Sequence, residues 1–228
     1  MPQITTVEKN GQRTYIIDGE PHVSVTTALQ IIRLKWLEQW RGRVGNEAAD
    51  AITEEAAGIG KDLHALIALH NFRKAGIIAP DKVYQGEEPL WGRAHTEGTE
   101  SILEKMLYAY KRWCDTYVEE IYAVELTTWH PLWKYAGTLD LELKIKGDTT
   151  ITLADIKTSS QLSPIMGLQL AAYKEAEACH GRPTDRRVVI WIPKDDPNWV
   201  HTQDYYNPNQ DFAAFTHALN LFRYLEEK

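Results

Sequence analysis

The spacing of hydrophobic and polar positions divides the chain into a helical half and a strand-rich half. Residues 3–18 alternate weakly, and Asn10-Gly11 predicts an edge hairpin turning there. "HVSVTTALQII" moves from a short extended run into a helix that Ser24 or Thr26 can cap. "RLKWLEQWRGR" continues the helical pattern, with Trp36 and Trp40 on one face. From Asn46 to about Lys74 the period stays helical, and Gly58 and Gly60 predict a break into two helices. Residues 75–95 hold Gly76, Pro80, Gly86, Pro89 and Gly92 and read as a loop. The following "TEGTESILEKMLYAYKRWCDTYV" reads as a long amphipathic helix.

Beyond that helix the period falls to two. Residues 120–129, 134–146 and 149–157 predict three consecutive strands. "SPIMGLQLAAYKEAEACHG" predicts a helix from Ser163-Pro164 to Gly181. "RRVVIWIP" predicts a buried strand, "NWVHTQDYY" another, and "NPNQDFAAFTHALNLFRYLEEK" a closing helix. The fold class expected is therefore α/β: a mixed β-sheet core flanked by helices, carrying an N-terminal helical lobe. One domain spans 1–228, with the hairpin and lobe over 1–95 and the core over 96–228.

The strand pair around "YAGTLDLELKIKGDTTITLADIKTSS" concentrates the chemistry. With Gly147-Asp148 as a two-residue type II′ loop, Lys146 faces Thr149, and the ladder continues until Asp140 faces Asp155. Facing side chains share one side of the sheet with Cβ atoms roughly 5 Å apart, and Lys157, two residues beyond Asp155, points the same way. Paired carboxylates repel, and a hard divalent cation relieves the conflict. Two aspartates, a lysine and a metal suit phosphodiester hydrolysis. The alternative is a solvated hairpin face, and a slip of one residue in register would favour it.

Composition narrows the partners. A net charge of −7 argues against a protein that coats nucleic acid nonspecifically, yet permits a local basic groove around a carboxylate centre. Eight Trp and eleven Tyr supply core packing or base-stacking platforms. Two cysteines, Cys114 and Cys179, are too few for an iron–sulfur cluster. The first residues lack the apolar core of a signal peptide and no segment reaches membrane-spanning length, so a cytoplasmic protein is expected.

"AGTLD", "ADIKTS" and "LQLAAY" resemble the G-x-x-D, (D/E)-x-K and Q-x-x-x-Y series of the RecB-type branch of PD-(D/E)XK nucleases. "GIGKDLHALI" is similar to that branch's Gly-x-x-x-His helix. "HVSVTTALQII" with "WLEQWRGRVGNEAADAI" resembles the N-terminal part of the mitochondrial genome maintenance exonuclease group and its phage and bacterial relatives. The likeness covers roughly residues 20–180 and departs at Leu139-Asp140, where the family name has Pro-Asp.

The resemblance implies a restriction-endonuclease-like core and a metal-dependent exonuclease that prefers single-stranded DNA ends. A structure-specific endonuclease and a non-catalytic nucleic-acid-binding protein are the alternatives. It implies Asp140, Asp155, His64 and the Ile156 carbonyl as holders of Mg²⁺ or Mn²⁺, Lys157 as the catalytic lysine, and no iron–sulfur cluster. Gln169, Tyr173 and Thr158 would border the site. It also implies work in recombination, repair or defence in a bacterial cell or phage-infected host. Glu125, on the strand before Asp140, is either a further metal acid or an ordinary strand glutamate. Arg33, Lys35, Arg41 and Arg43 are candidate DNA contacts beside Trp36 and Trp40, whose indoles are expected to bury against the lobe while the cations stay wet. Ser24 caps a helix or contacts phosphate. Oligomeric state is left open by the sequence.

Overall fold

The computed structural model describes residues 2–78 and 99–226. The expected loop over 75–95 lies mostly outside them. Within them the chain runs β1 (Ile4–Lys9), β2 (Gln12–Ile17), β3 (Glu20–Ser24), α1 (Val25–Leu29), α2 (Lys35–Val44), α3 (Asn46–Ala75), α4 (Thr99–Tyr117), β4 (Val118–His130), β5 (Tyr135–Ile145), β6 (Ile151–Lys157), α5 (Ile165–Cys179), β7 (Arg186–Trp191), β8 (His201–Asp204) and α6 (Pro208–Glu226). The architecture is mixed α/β: an eight-stranded mixed sheet flanked by helices. One apolar cluster packs α3 and α4 on the sheet, and a second packs α1, α5 and α6.

Three expectations are corrected. Gly58 and Gly60 do not break the helix, and α3 is continuous over 30 residues. A Cβ at Gly60 would stand 3.1 Å from Thr158 Oγ1, so this glycine permits close approach to the end of β6. Its helix cost, about 1 kcal/mol, is offset by packing of Ile59, Leu63 and Ile67. The helix expected to continue into "RLKWLEQWRGR" stops at Leu29 and restarts at Lys35. The β5–β6 loop is longer than two residues: Gly147, at φ 84°, is the third residue of a turn closed by Asp148 N–H donating to the Ile145 carbonyl. The register survives because the extra residues divide evenly, pairing Lys144 with Ile151 and Leu141 with Ala154.

The topology of β5 positions the site. On one edge it pairs with β4 from Tyr135 to Ile145. On the other edge two strands share it: β3 runs parallel beside Tyr135 and Ala136, and β6 runs antiparallel beside Leu141 to Lys144. Between them residues 137–140 have no partner strand, so the sheet is split. At the same place the strands exchange faces. Leu141 and Leu143 pack with α3 and α4, whereas Leu139 and Tyr135 pack with α5 and α6, although all four are odd-numbered. Across the ladder Val124 and Leu126 separate in the same manner. Glu125, between them, adopts φ 49°, a left-handed conformation that a non-glycine residue rarely takes.

Candidate metal centre

A cleft of about 540 Å³ opens at the split, lined by Ser24, His64, Glu125, Asp140, Asp155, Lys157, Gln169 and Tyr173. Each is carried by a different constraint. α3 brings His64 from one side of the sheet, and α5 brings Gln169 and Tyr173 from the other. Glu125 lies across from Asp140, since Val124 pairs with Leu141 and Leu126 with Leu139. Asp155 and Lys157 come from β6 where it diverges from β5.

The two aspartates are adjacent in register but are not held as a simple facing pair. Asp140 Oδ2 accepts a hydrogen bond from the Ile156 N–H at 2.6 Å, replacing the ladder bond lost at the split. The same oxygen lies 3.6 Å from His64 Nδ1. Asp155 instead accepts from Gln169 Nε2 at 2.9 Å and contacts Lys157 Nζ at 2.5 Å. Gln169 also reaches the Tyr173 hydroxyl at 3.3 Å. Gly137 makes room for that tyrosine: a Cβ there would overlap its ring.

The electrostatics follow from crowding. Burial and the charge of Asp140 push Glu125 up to about 7. Burial works against ionised Asp140, but His64, Lys157 and the Ile156 N–H outweigh it and its pKa falls. Asp155 is raised by burial against the pull of Lys157. Burial favours neutral His64, yet the Asp140 carboxylate raises it. Lys157 resists the loss of charge that burial imposes because Asp155 and Asp140 hold the ammonium, so its pKa rises.

Among the described residues, ligand atoms of His64, Glu125 and Asp140 all lie within 4.8 Å of one another. Donors at about 2.1 Å from a shared ion stand at most about 4.2 Å apart, so small side-chain rotations bring these three onto one cation. Two carboxylates with one imidazole suit Mg²⁺ or Mn²⁺, the imidazole favouring Mn²⁺. Asp155 borders the same cleft but is outside that trio.

Other expected residues divide. Ser24 occupies the N-cap position of α1 without capping it, and its hydroxyl pairs with Thr26 Oγ1 at 2.9 Å. Thr158 is buried beside Gly60. Lys35, Trp36, Arg41 and Arg43 lie on α2, preceded by Arg33, and none lines the cleft. Contrary to expectation, Trp36 stays exposed, and no α2 side chain is buried. Sequence reasoning missed Arg13, Tyr15, Lys61 and Thr138, which also line the cleft. Lys61 was within reach, one helical turn before His64. Arg13 and Tyr15 gave no signal, because β2 arrives only through the parallel β3–β5 pairing.

No helix among the described residues is long and apolar enough to cross a membrane. No family model matches the chain, and no curated protein matches it. Among solved structures it is similar to the crystal structure of SSO0001, at 14% identity and a TM-score of 0.37, over 72% of this chain and 73% of that one.

Proposed function

We propose that this chain is a metal-dependent deoxyribonuclease with a restriction-endonuclease-like core, acting as an exonuclease on DNA ends. The observation that carries the reading is the convergence of His64, Glu125 and Asp140 beside the Asp155–Lys157 pair in one cleft. His64, Glu125 and Asp140 would hold Mg²⁺ or Mn²⁺, with Asp155 on the same cleft wall and the Ile156 carbonyl as the further ligand that the family resemblance implies. Such an ion supplies Lewis acidity and a bound water of lowered pKa. Lys157 keeps its charge because Asp155 neutralises its surroundings, and its ammonium donates to a non-bridging phosphate oxygen as negative charge accumulates there. Gln169 and Tyr173 fix the Asp155 carboxylate that orients this lysine. Arg13 and Lys61, on the cleft wall, are placed to meet flanking phosphates.

The test is a time course on linear DNA labelled at either end, with Mn²⁺ or Mg²⁺ added. Wild type is expected to shorten it, leave a circular single strand intact, and lose at least 10³-fold in rate on Asp140→Asn or Lys157→Ala. Equal rates in the variants, or no digestion with either ion, would refute hydrolysis. Digestion of the circle as fast as the linear strand would reassign the protein as an endonuclease.

A further inference from the structure

We propose that the cavity between α1, α2 and the first turn of α5 is a nucleobase subsite. It takes the base beside the scissile phosphate of a single-stranded polynucleotide, an inference that rests on the nuclease reading of the adjoining cleft. The cavity measures about 510 Å³, with Leu29, Ile32, Leu37 and Ile165 among its walls and Arg33 and Arg41 at its rim. Thr26 and Gln169 line both this cavity and the acid cleft, so the two spaces adjoin.

The state of α2 shows that this wall is not part of the core. The helix is amphipathic, yet none of its side chains is buried, and Trp36 and Leu37 are 39% and 38% exposed. A polynucleotide alternates a charged phosphate with a flat, largely apolar base. When a phosphodiester sits by Lys157, the neighbouring base is one sugar away, and the cavity adjoins the cleft that Lys157 lines. Its face then covers aliphatic side chains that otherwise meet water.

The lining carries two cations, Arg33 and Arg41, against one acid, Glu38, and that net positive charge matches a phosphate. Arg33 contacts Glu38 at 3.5 Å and Arg41 contacts Asp50 at 2.6 Å, both surface pairs for which a phosphate can compete. A base inside a duplex has both faces covered by its neighbours, so only an unstacked, single-stranded nucleotide offers the surface this cavity takes. Aliphatic walls do not read base edges, which gives weak sequence preference.

The experiment compares kcat/KM on a single-stranded deoxythymidine ten-mer with kcat/KM on methyl p-nitrophenyl phosphate, an ester of phosphate that carries no base. Leu37→Glu puts a carboxylate on the cavity wall at an exposed position, and Leu37→Met keeps it apolar. The oligomer-to-ester ratio is expected to fall at least tenfold in Leu37→Glu and to hold in Leu37→Met. Fluorescence anisotropy of the labelled oligomer, with Ca²⁺ present, should show a matching tenfold loss of affinity. A blunt duplex should compete poorly. Unchanged ratio and affinity in Leu37→Glu, or equal competition by duplex, would overturn the subsite. Oligomer binding that depends on Leu37, without hydrolysis of either substrate under Mn²⁺, would refute the nuclease reading and leave the subsite standing.

Discussion

Glu142→Gln should make the protein more stable above neutral pH while leaving it little changed in mild acid. Glu142 on β5 and Glu177 on α5 are 4% and 0% exposed, and Arg182 engages Glu177 through two contacts, at 2.5 and 2.9 Å. One guanidinium thus serves two carboxyls. Burial opposes ionisation of Glu177, but Arg182 prevails and its pKa falls. For Glu142 the pull of Arg182 is outweighed: burial and the Glu177 charge push it up to about 7, and its Oε1 has no hydrogen-bond partner.

Because the folded pKa of Glu142 exceeds its unfolded value of 4.5, the native state holds the extra proton between those two pH values. Its contribution is complete below about 4.5 and is lost as pH rises through 7. A rise of about 2.5 units corresponds to roughly 3 kcal/mol. The amide removes that loss and its NH₂ group takes over the hydrogen bond that the carboxyl proton gives Glu177, but its second hydrogen, buried without an acceptor, costs about 1 kcal/mol. The net gain expected above pH 8 is therefore about 2 kcal/mol, against zero or a slight deficit at pH 5. Urea unfolding of both proteins at pH 5, 6, 7 and 8 measures this directly. Parallel stability curves, with the same difference at every pH, would refute the reasoning, because a purely steric effect does not titrate.

Three further outcomes follow from the cleft. Mn²⁺ affinity measured by titration calorimetry should fall steeply below pH 7, approaching about a hundredfold per pH unit, since Glu125 and His64 must each lose a proton first; in Glu125→Gln the slope should lessen by one proton, and an identical slope would remove Glu125 from the ligand set. His64→Ala should weaken Mn²⁺ binding at least tenfold with little change in melting temperature, and undiminished affinity would exclude the imidazole as a ligand. Gly137→Ala should displace the Tyr173 ring and cost about 1–3 kcal/mol, seen as a lower melting temperature, whereas wild-type melting would show that the ring has room to move.

The succession of elements from β4 onward and the β5–β6 register were legible because alternation marks the strands and a symmetric loop fixes the register, whatever the turn type. His64, Asp140, Asp155 and Lys157 were legible as candidates, and all four line one cleft. Three features were hidden. Strict alternation placed Asp140 and Asp155 on one face, but the strands exchange faces at Asp140, and no residue type announces a pivot. Gly60 was read as a helix breaker because local propensity cannot register the close approach of Thr158. The parallel pairing of Val23 and Ser24 with Tyr135 and Ala136 joins segments more than a hundred residues apart, beyond the reach of a local pattern.

These hidden features share one cause. Two strands, β3 and β6, occupy the same edge of β5, and the gap between them leaves residues 137–140 without ladder partners on that edge. A backbone so exposed inside a fold must find substitutes, and the Asp140 carboxylate supplies one by accepting the Ile156 N–H. Opposite the gap, Glu125 takes the left-handed conformation as the strand turns its apolar residues from one cluster to the other. Such a residue costs about 1–3 kcal/mol, and buried acids add to the cost. The acid cluster is therefore not an ornament on a regular sheet. It occupies a place where the β5 edge is interrupted, helices from both layers reach in, and side chains no longer alternate. A cation bridging His64, Glu125 and Asp140 would compensate both the charge crowding and the strain, so metal should raise stability as well as enable chemistry.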